Sequence, residues 1–228
     1  MDNPSEIKLI RQTPKSDDSL RCCAQMIFNF FGQSLKKELI WKKLHSYKKF
    51  SGLEGSFLTD LGLLAIKLGY KPIIYHFDWH WWDKKSFEAN KKSNKALVSS
   101  LKELKKDKKS WADRKIIDKE IKFSGKDGKI INEVPNLELV DNYLIQNIPV
   151  ILNIHPQDFY QSPKEEYRHT VLVVGKKENL YLTKDPLMGL EEIDKEQLLV
   201  SWVRNGAWML VILPKLISRD IKQPELKF

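Results

Sequence analysis

Hydrophobic residues recur at helical spacing in the segment that follows Asp17. The acidic residues before Ser19 are typical of a helix start, and Gly32 is typical of a helix end. The spacing therefore predicts a helix between these two signals. Its apolar face would comprise Leu20, Cys23, Ala24, Ile27 and Phe31.

A β-hairpin is predicted near the other end of the chain. Thr170–Val174 is a strand rich in β-branched residues, Leu180–Thr183 is a second short strand, and the turn-forming residues 175–179 lie between them. A turn centred directly after Lys177 places His169 opposite Asp185 or one residue away. A carboxylate so placed can fix the tautomer and orientation of an imidazole, as nucleophilic catalysis requires. The alternative interpretation is a strand-end histidine that merely lies near an aspartate of a turn.

Helical and strand patterns also alternate elsewhere along the chain. They predict a helix over Thr59–Leu68, strands over Pro72–Phe77 and Pro149–Ile154, and a final helix and strand before Pro214. A chain of 228 residues can bury a substantial core. We expect one α+β domain that spans residues 1–228.

Three candidate nucleophiles lie in the first turns of the helix after Asp17, namely Ser19, Cys22 and Cys23. The positive end of a helix dipole favours a thiolate at such a position. The alternative interpretation makes Ser19 an N-cap residue and both cysteines small core residues. Adjacent cysteines on a helix point apart, so we expect free thiols and a reducing compartment.

The helix and the hairpin together resemble the papain-like, bacteriocin-processing (double-glycine) peptidase family, and more closely its stand-alone cytoplasmic relatives. In that family a glutamine precedes an acidic–Cys–Gly helix start, and the helix ends at an aromatic–Gly pair. A histidine opens a later strand, and an Asp–Pro pair closes the next one. The resemblance spans roughly Gln12 to Pro214, apart from Lys84–Lys129.

The resemblance assigns a role to several residues. Gln12 fits the glutamine that stabilises the oxyanion, and His169 fits the catalytic histidine. Asp185, followed by Pro186, fits the acid that orients the histidine. The helix itself matches at Asp18, Cys23, Met26, Phe31 and Gly32.

Two positions depart from the family pattern. Ser19 occupies the place of the catalytic cysteine, and Leu20 occupies the place of the glycine that follows it. Ser19 could be a working nucleophile, a residue of an inactive relative that still binds a peptide-like ligand, or an engineered replacement of cysteine. A fourth interpretation is that Cys22 or Cys23 serves as the nucleophile instead.

The resemblance implies a papain-like α+β fold, with a helical lobe packed on an antiparallel sheet and a cleft between them. It implies hydrolysis or acyl transfer at an amide or thioester bond of a peptide-like substrate, without a metal or a cofactor. Ser19 would attack, His169 would carry the proton, and Asp185 would orient His169. Gln12 and the backbone N–H of Ser19 would stabilise the oxyanion. The alternative is an inactive module of the same fold that binds a peptide or protein partner.

The positive charge of the chain is concentrated in the segment Lys84–Lys129. It holds fifteen lysines and one arginine against seven acidic residues, and sixteen minus seven equals the net charge of +9 of the whole chain. We interpret it as a helical insertion, over about 84–130, that covers or borders the cleft. Nucleic-acid binding is disfavoured because arginine is scarce and aromatic residues do not interleave with the lysines. The expected anchors are Leu97, Leu101, Leu104, Trp111, Ile116 and Ile117.

The stretch FDWHWWD contains two further candidates. Trp79, Trp81 and Trp82 could line a substrate groove or close the core. The histidines and aspartates in and next to this stretch could bind a metal ion, but their spacing is not a strong signature of a metal site, so a metal site is disfavoured. Those residues are His76, Asp78, His80 and Asp83.

The remaining expectations concern location. No apolar run is long enough to span a bilayer and no secretory signal follows the first residues. We therefore expect a cytoplasmic protein that does not interact with membranes. The oligomeric state is left open.

Overall fold

Seven strands form one sheet in the part of the chain that the structure describes. The computed structural model describes residues 3–13, 16–47, 55–77, 81–107, 111–134, 136–162 and 169–214. The strands are β1 Lys71–His76, β2 Lys129–Asn132, β3 Val150–Ile154, β4 His169–Lys177, β5 Leu180–Asp185, β6 Gly189–Asp194 and β7 Met209–Leu213. They lie in the order β2–β1–β7–β3–β4–β5–β6. Only β1 and β2 run parallel; the other neighbouring strands among those described are antiparallel.

Helices cover both faces of this sheet. The helices are α1 Ser19–Phe30, α2 Lys37–Lys43, α3 Leu58–Lys67, α4 Lys84–Lys92, α5 Asn94–Asp107, α6 Trp111–Ser124, α7 Leu137–Leu144, α8 Pro156–Phe159 and α9 Lys195–Val203, preceded by a 3-10 turn at Pro4–Glu6. Helices α1 to α6 contribute to one apolar core and helices α7 to α9 to the other. The sheet separates the two cores because the side chains of each strand alternate between its faces.

Helix α1 forms where the polar and apolar pattern predicts it. Asp18 is its N-cap residue and pairs with Arg21 at 2.6 Å. The helix ends before Gly32, whose φ of +74° suits glycine far better than residues with a Cβ. Its inner face is buried from Leu20 to Phe28, so burial of this face on the sheet accounts for its position.

The lysine-rich segment is three helices and a strand, and it is built into the core. Phe123 of α6 is fully buried and packs against Gly62 of α3 and Gly128, where a Cβ atom would clash with its ring. Strand β2 extends the sheet beyond β1, a contribution that the sequence pattern does not predict. Four of the expected anchors are buried, namely Leu97, Leu101, Ile116 and Ile117. Leu104 is partly buried, and the side chain of Trp111 lies outside the described part of the structure.

The predicted α+β class is confirmed, and the sequence-based boundaries of α3, β1 and β3 are correct to within one residue. The second helical layer on the far face of the sheet is an addition to the expected helical lobe. None of the helices in the described residues is both long and apolar enough to cross a bilayer.

Candidate active site

His169 and Asp185 form a buried pair at one end of the sheet. His169 Nε2 lies 2.8 Å from Asp185 Oδ1, and the exposed fractions of the two residues are 2% and 0%. The hydrogen bond is charge-assisted when Asp185 is ionised, which makes it stronger than a neutral one. The pair can therefore hold the imidazole of His169 in one orientation.

A β-bulge puts both side chains on the same face of the sheet. From the turn, Lys177 pairs with Leu180, but the register shifts by one residue between Val173 and Gly175. Beyond the shift Leu172 pairs with Lys184, so Asp185 lies opposite Val171. Val171 is two positions after His169, and the two side chains therefore point to the same face. Without the shift Asp185 would point to the opposite face, since a one-residue change of register exchanges the faces.

The sequence-based register is therefore wrong in two details. The turn is centred between Glu178 and Asn179, one residue later than predicted, and Glu178 has a φ of +55°. His169 is diagonal to Asp185 and not directly opposite or one residue away. The later turn alone would move Asp185 two positions along β4, and the bulge reverses one of them, so the predicted contact forms across the diagonal.

Asp185 is the centre of a hydrogen-bond network. Its Oδ1 also accepts from the backbone N–H groups of Leu187 at 2.7 Å and Met188 at 3.2 Å. Its Oδ2 accepts from the Tyr160 hydroxyl at 2.5 Å. Burial alone would raise the pKa of Asp185, but the hydrogen bonds and charge of His169 and the bonds from Tyr160 and Leu187 hold it below its ordinary value. Asp185 is thus kept as a carboxylate.

Tyr160 is a site residue that sequence reasoning missed. It follows α8, twenty-five residues before Asp185, and no spacing pattern connects the two. Its ring also lies 6.1 Å from that of His169, between centroids. Helix α8 begins at Pro156, with only the N-cap residue His155 between it and β3, so the end of β3 determines where Tyr160 lies.

Ser19 is the first residue of α1 and is 9% exposed. It lines a cavity of about 60 Å³ together with Thr170, the residue next to His169, and Asn153 of β3. Helix α1 packs on β4, where the Cys23 Sγ donates to the Thr170 carbonyl at 3.6 Å. The candidate nucleophile and strand β4 therefore meet at one cavity, but His169 is not among the residues that line it, and neighbouring residues of a strand point to opposite faces. A direct contact between the Ser19 hydroxyl and the His169 ring stays a prediction.

The two cysteines are poorly placed to replace Ser19 as nucleophile. Both are free thiols and both are almost completely buried. Burial raises the pKa of the Cys22 thiol to about 12, with a further rise from Asp18, and burial likewise raises the pKa of Cys23. Neither thiol is activated at neutral pH, which weakens the interpretation that Cys22 or Cys23 serves instead.

Gln12 lies beside the segment that follows Asp185. Its backbone N–H donates to the Pro186 carbonyl at 2.9 Å, and its Nε2 donates to the Ser16 carbonyl at 3.3 Å. The neighbouring Arg11 donates to the carbonyl groups of Leu187 and Met188 at 3.0 and 3.2 Å. These contacts join the chain before α1 to the turn after Asp185. The side-chain amide of Gln12 is directed to Ser16 in this arrangement.

The three predicted substrate-binding tryptophans have different outcomes. Trp81 lines the cavity beside Ser19. Trp82 is buried in the core, and its Nε1 donates to Glu120 at 2.7 Å. Trp79 lies outside the described residues. A further tryptophan in the cavity wall, Trp208, was not singled out from the sequence because it directly precedes β7, far along the chain from the others.

His76 belongs to an aromatic cluster in the core. It stacks on Trp208 at 4.2 Å between ring centroids and lies edge-on to Trp82 at 4.9 Å. Burial lowers its pKa to about 3, so the imidazole is neutral at physiological pH. Of its expected companions, Asp83 caps α4, while Asp78 and His80 lie outside the described residues.

Two residues of the lysine-rich segment Lys84–Lys129 line the cavity that Ser19 lines. They are Ile116 and Glu120 of α6. Glu120 is fully buried, and its Oε1 lies 3.8 Å from His76 Nε2. Part of the lysine-rich segment thus forms a wall of this cavity, and its role as an insertion that borders a substrate cleft stays a prediction. Its low affinity for nucleic acid stays a prediction.

No protein-family model matches the chain, and no curated protein matches it in sequence. Solved structures do match. One is a double glycine motif protease from an AMS/PCAT transporter in complex with the leader peptide, at 12% identity, with 93% of this chain and 94% of that chain covered and a TM-score of 0.49.

Two further matches are peptidases. The peptidase domain of Streptococcus ComA, a bi-functional ABC transporter involved in a quorum-sensing pathway, is 12% identical, with 92% and 99% coverage and a TM-score of 0.47. A C39-like peptidase from Bacillus anthracis is 13% identical, with 92% and 96% coverage and a TM-score of 0.48. At these identities and TM-scores the likeness assigns no chemistry to this chain, and the chemistry of the site rests on its own residues.

Proposed function

We propose that this chain is a papain-like peptidase or acyl-transfer domain that acts on an amide or thioester bond of a peptide-like substrate. The observation that carries the proposal is the buried His169–Asp185 pair, at 2.8 Å, on strand β4, whose next residue, Thr170, lines a cavity together with Ser19. A nucleophile at a helix start, a base and an oriented carboxylate are the parts that covalent catalysis needs.

The reaction begins with attack of the Ser19 hydroxyl on the carbonyl carbon of the substrate. Because His169 Nε2 engages Asp185, the proton of Ser19 passes to Nδ1 and then to the leaving amine or thiolate. An acyl–Ser19 ester results, and water or an acceptor amine releases the acyl group. The ionised Asp185 stabilises the imidazolium that forms in both steps.

The oxyanion is stabilised from the N-terminal end of α1. The backbone N–H of Ser19 lies in the first turn, where the helix dipole is positive. Gln12 is the proposed second donor, and its tether to Pro186 keeps it near the turn that follows Asp185. To donate to an oxyanion, its amide would exchange its bond to Ser16 for one to the substrate.

The hydrogen bond from the Gln12 amide to the Ser16 carbonyl favours an alternative function. In this alternative the chain is an inactive peptidase-fold module that binds a peptide or protein partner. The Gln12 amide already donates to Ser16, and Leu20 stands where the family has glycine. A serine hydroxyl is also far less acidic than a thiol, so His169 has to remove its proton during the attack. Both candidate functions use the same cavity.

A cytoplasmic location is part of the proposal. Both cysteines are free thiols in the structure, and free thiols persist in a reducing compartment. The proposed partner is a peptide or protein that carries the substrate bond.

A change of Ser19 to cysteine tests the proposed function. Ser19→Cys puts a thiol at the positive end of α1, where the dipole and His169 should lower its pKa. We expect iodoacetamide to label this variant at neutral pH at least about tenfold faster than a free thiol of ordinary pKa. The wild type is the matched control, because its two buried cysteines should react slowly.

A fluorophosphonate probe tests the natural residue. We expect covalent labelling of the wild type at Ser19 and none in Ser19→Ala or His169→Ala. Absence of labelling in the wild type, together with ordinary thiol reactivity in Ser19→Cys, would favour the binding module over the enzyme.

A further inference from the structure

Strand β3 carries one polar side chain, and this side chain lines the cavity beside Ser19. The strand reads VILNI, and Asn153 is its only polar residue. Asparagine is depleted in β-strands, so its presence here goes against the local preference. Such departures from local preference are expected at functional sites. The reaction steps given above assign no role to Asn153, and its place in the cavity calls for one.

Strand pairing fixes the position of Asn153. Its neighbours Leu152 and Ile154 belong to the core that helices α7 to α9 cover. Because side chains alternate along a strand, Asn153 points to the other face of the sheet, on which α1 packs. It pairs with Thr170 of β4, and its backbone N–H donates to the Trp208 carbonyl at 3.0 Å. The side chain therefore starts from a rigid backbone.

A hydrogen bond from Thr170 orients the amide of Asn153. The Thr170 hydroxyl donates to Asn153 Oδ1 at 3.0 Å. This bond engages the acceptor end of the amide, and the Nδ2 end carries two N–H donors. Among the described residues Nδ2 has no hydrogen-bond partner, and it is not enclosed by protein atoms. The amide is therefore a pre-oriented donor in the wall of the cavity.

The amide of Gln12, the other candidate donor, is engaged elsewhere. Its Nε2 donates to the Ser16 carbonyl at 3.3 Å, and Gln12 is not among the residues that line the cavity. Gln12 has to break this bond before it can donate to a substrate, whereas Asn153 Nδ2 has no bond to break. Donors that are already oriented stabilise developing charge best, because they need not reorganise during the reaction.

Two hydroxyl groups add to the polar lining of the cavity. Ser56 precedes α3, and Thr59 lies in the first turn of that helix. The hydroxyl oxygens of both are enclosed and have no hydrogen-bond partner among the described residues. Enclosed polar atoms are usually hydrogen-bonded, so the cavity suits a polar group better than a hydrocarbon. Its volume of about 60 Å³ gives room for a few water-sized groups, as an amide group requires.

We infer that Asn153 Nδ2 donates a hydrogen bond to the carbonyl oxygen of the bond that Ser19 attacks. The inference rests on the proposed function for its catalytic part, but binding of a carbonyl group at Asn153 does not require turnover.

The hydrogen bond strengthens during the reaction. When the Ser19 oxygen bonds to the carbonyl carbon, the π electron pair of the carbonyl moves onto its oxygen. Asn153 Nδ2 and the backbone N–H of Ser19 donate to this oxyanion. The electron pair returns when the leaving group departs with the proton from His169. Asn153 stays neutral throughout, and it neither gains nor loses a proton.

Asn153→Ala tests the catalytic part. We expect fluorophosphonate to label Ser19 about 10²-fold more slowly in this variant than in the wild type, the loss typical of one oxyanion donor. Asn29→Ala is the matched control and should label at the wild-type rate, because Asn29 is exposed near the other end of α1. Thermal unfolding shows whether each variant keeps its fold. An unchanged labelling rate in a folded Asn153→Ala protein would overturn the inference.

Binding of acetamide to the wild type tests the carbonyl contact without turnover. In an NMR titration we expect acetamide to shift the side-chain NH₂ resonances of Asn153 and to leave those of Asn29 unchanged. Thioacetamide has the same donors but a weaker acceptor, so it should bind at least about threefold more weakly, as the loss of one hydrogen bond implies. Equal affinity for the two probes, or no shift at Asn153, would overturn the inference whatever the variants do.

The two proposals fail separately. A protein that binds acetamide at Asn153 but never reacts with a fluorophosphonate loses the proposed function, while the contact between Asn153 and a carbonyl oxygen stands. A protein that reacts with a fluorophosphonate independently of Asn153 loses this inference alone.

Discussion

Two buried histidines of this protein each face a carboxyl group, and the two pairs differ in almost every other respect. His169 lies 2.8 Å from Asp185, whose oxygens also accept from Tyr160 and two backbone N–H groups. His76 lies 3.8 Å from Glu120 and is enclosed by indole rings. The first pair suits proton transfer, whereas in the second pair burial keeps the imidazole neutral. Distance and donor count, not burial, distinguish a candidate catalytic pair from a core pair.

The largest expected effect comes from Asp185→Asn. The change keeps the shape of the side chain but removes the negative charge that orients His169 and stabilises its protonated form. We expect the rate of fluorophosphonate labelling at Ser19 to fall by about 10³-fold or more. Asp194→Asn is the control, since Asp194 caps α9 through the Glu196 N–H and lies away from the site. A loss below tenfold in Asp185→Asn would contradict the proposed role of the pair.

Acid unfolding should separate the two histidine pairs by pH. The folded protein holds the pKa of His76 at about 3 against an ordinary value of 6.5, so between these pH values the unfolded chain binds a proton that the folded chain does not. The free energy of unfolding should therefore decrease as the pH falls through this window, by up to about 1.4 kcal/mol per pH unit. His76→Phe keeps an aromatic ring against Trp208 and should flatten that decrease in denaturant titrations.

The carboxyl group of Asp185 should affect the free energy of unfolding at lower pH than His76 does. Its pKa is depressed below the ordinary value of 3.8, so its stabilising contribution is fully present above that pH and is lost as the pH falls through the folded-state pKa. Asp185→Asn should alter the pH profile of stability only below about pH 4.

The His76 prediction has its own contradicting outcome. If the free energy of unfolding of His76→Phe depends on pH between pH 6 and pH 3 as steeply as that of the wild type, His76 takes up a proton in the folded protein without unfolding it.

The smallest expected effect is that of Tyr160→Phe. The change removes one donor to Asp185 Oδ2 and leaves the bonds from His169 and the backbone in place. A hydrogen bond to a charged group contributes about 1.5–3 kcal/mol, but Tyr160 acts only through Asp185, which keeps its other donors, so we expect the labelling rate to fall by only about tenfold. Tyr181→Phe is the matched control, because Tyr181 donates to Asp141, which lies outside the candidate site. Equal effects of the two changes would indicate that Tyr160 acts on folding alone.

The parts of this molecule that the sequence predicts are those governed by short-range patterns. Helical spacing and end signals locate α1 to within two residues, and strand patterns locate the hairpin that carries His169 and Asp185. The contact between these two residues is predictable because they are sixteen positions apart on one hairpin.

The parts that escape prediction depend on distant contacts. The register shift near Val174 leaves only a weak local signal, Gly175, because a glycine inside a strand is compatible with a bulge but does not fix its place or direction. Strand β2 presents only two apolar residues at the end of a lysine-rich segment, so its pairing with β1 comes from tertiary packing. Glu120 reaches the cavity because α6 packs on α3, a relation that no spacing encodes.

The position of β7 has a consequence for synthesis of the chain. This strand is the last in the described sequence, yet it lies in the middle of the sheet, between β1 and β3. While the ribosome is still adding residues before Met209, the β1–β2 pair and the four strands β3 to β6 can form only as separate pieces with exposed edges. Such edges are prone to pair with other chains, so a nascent chain halted before Met209 should depend on chaperones to avoid aggregation.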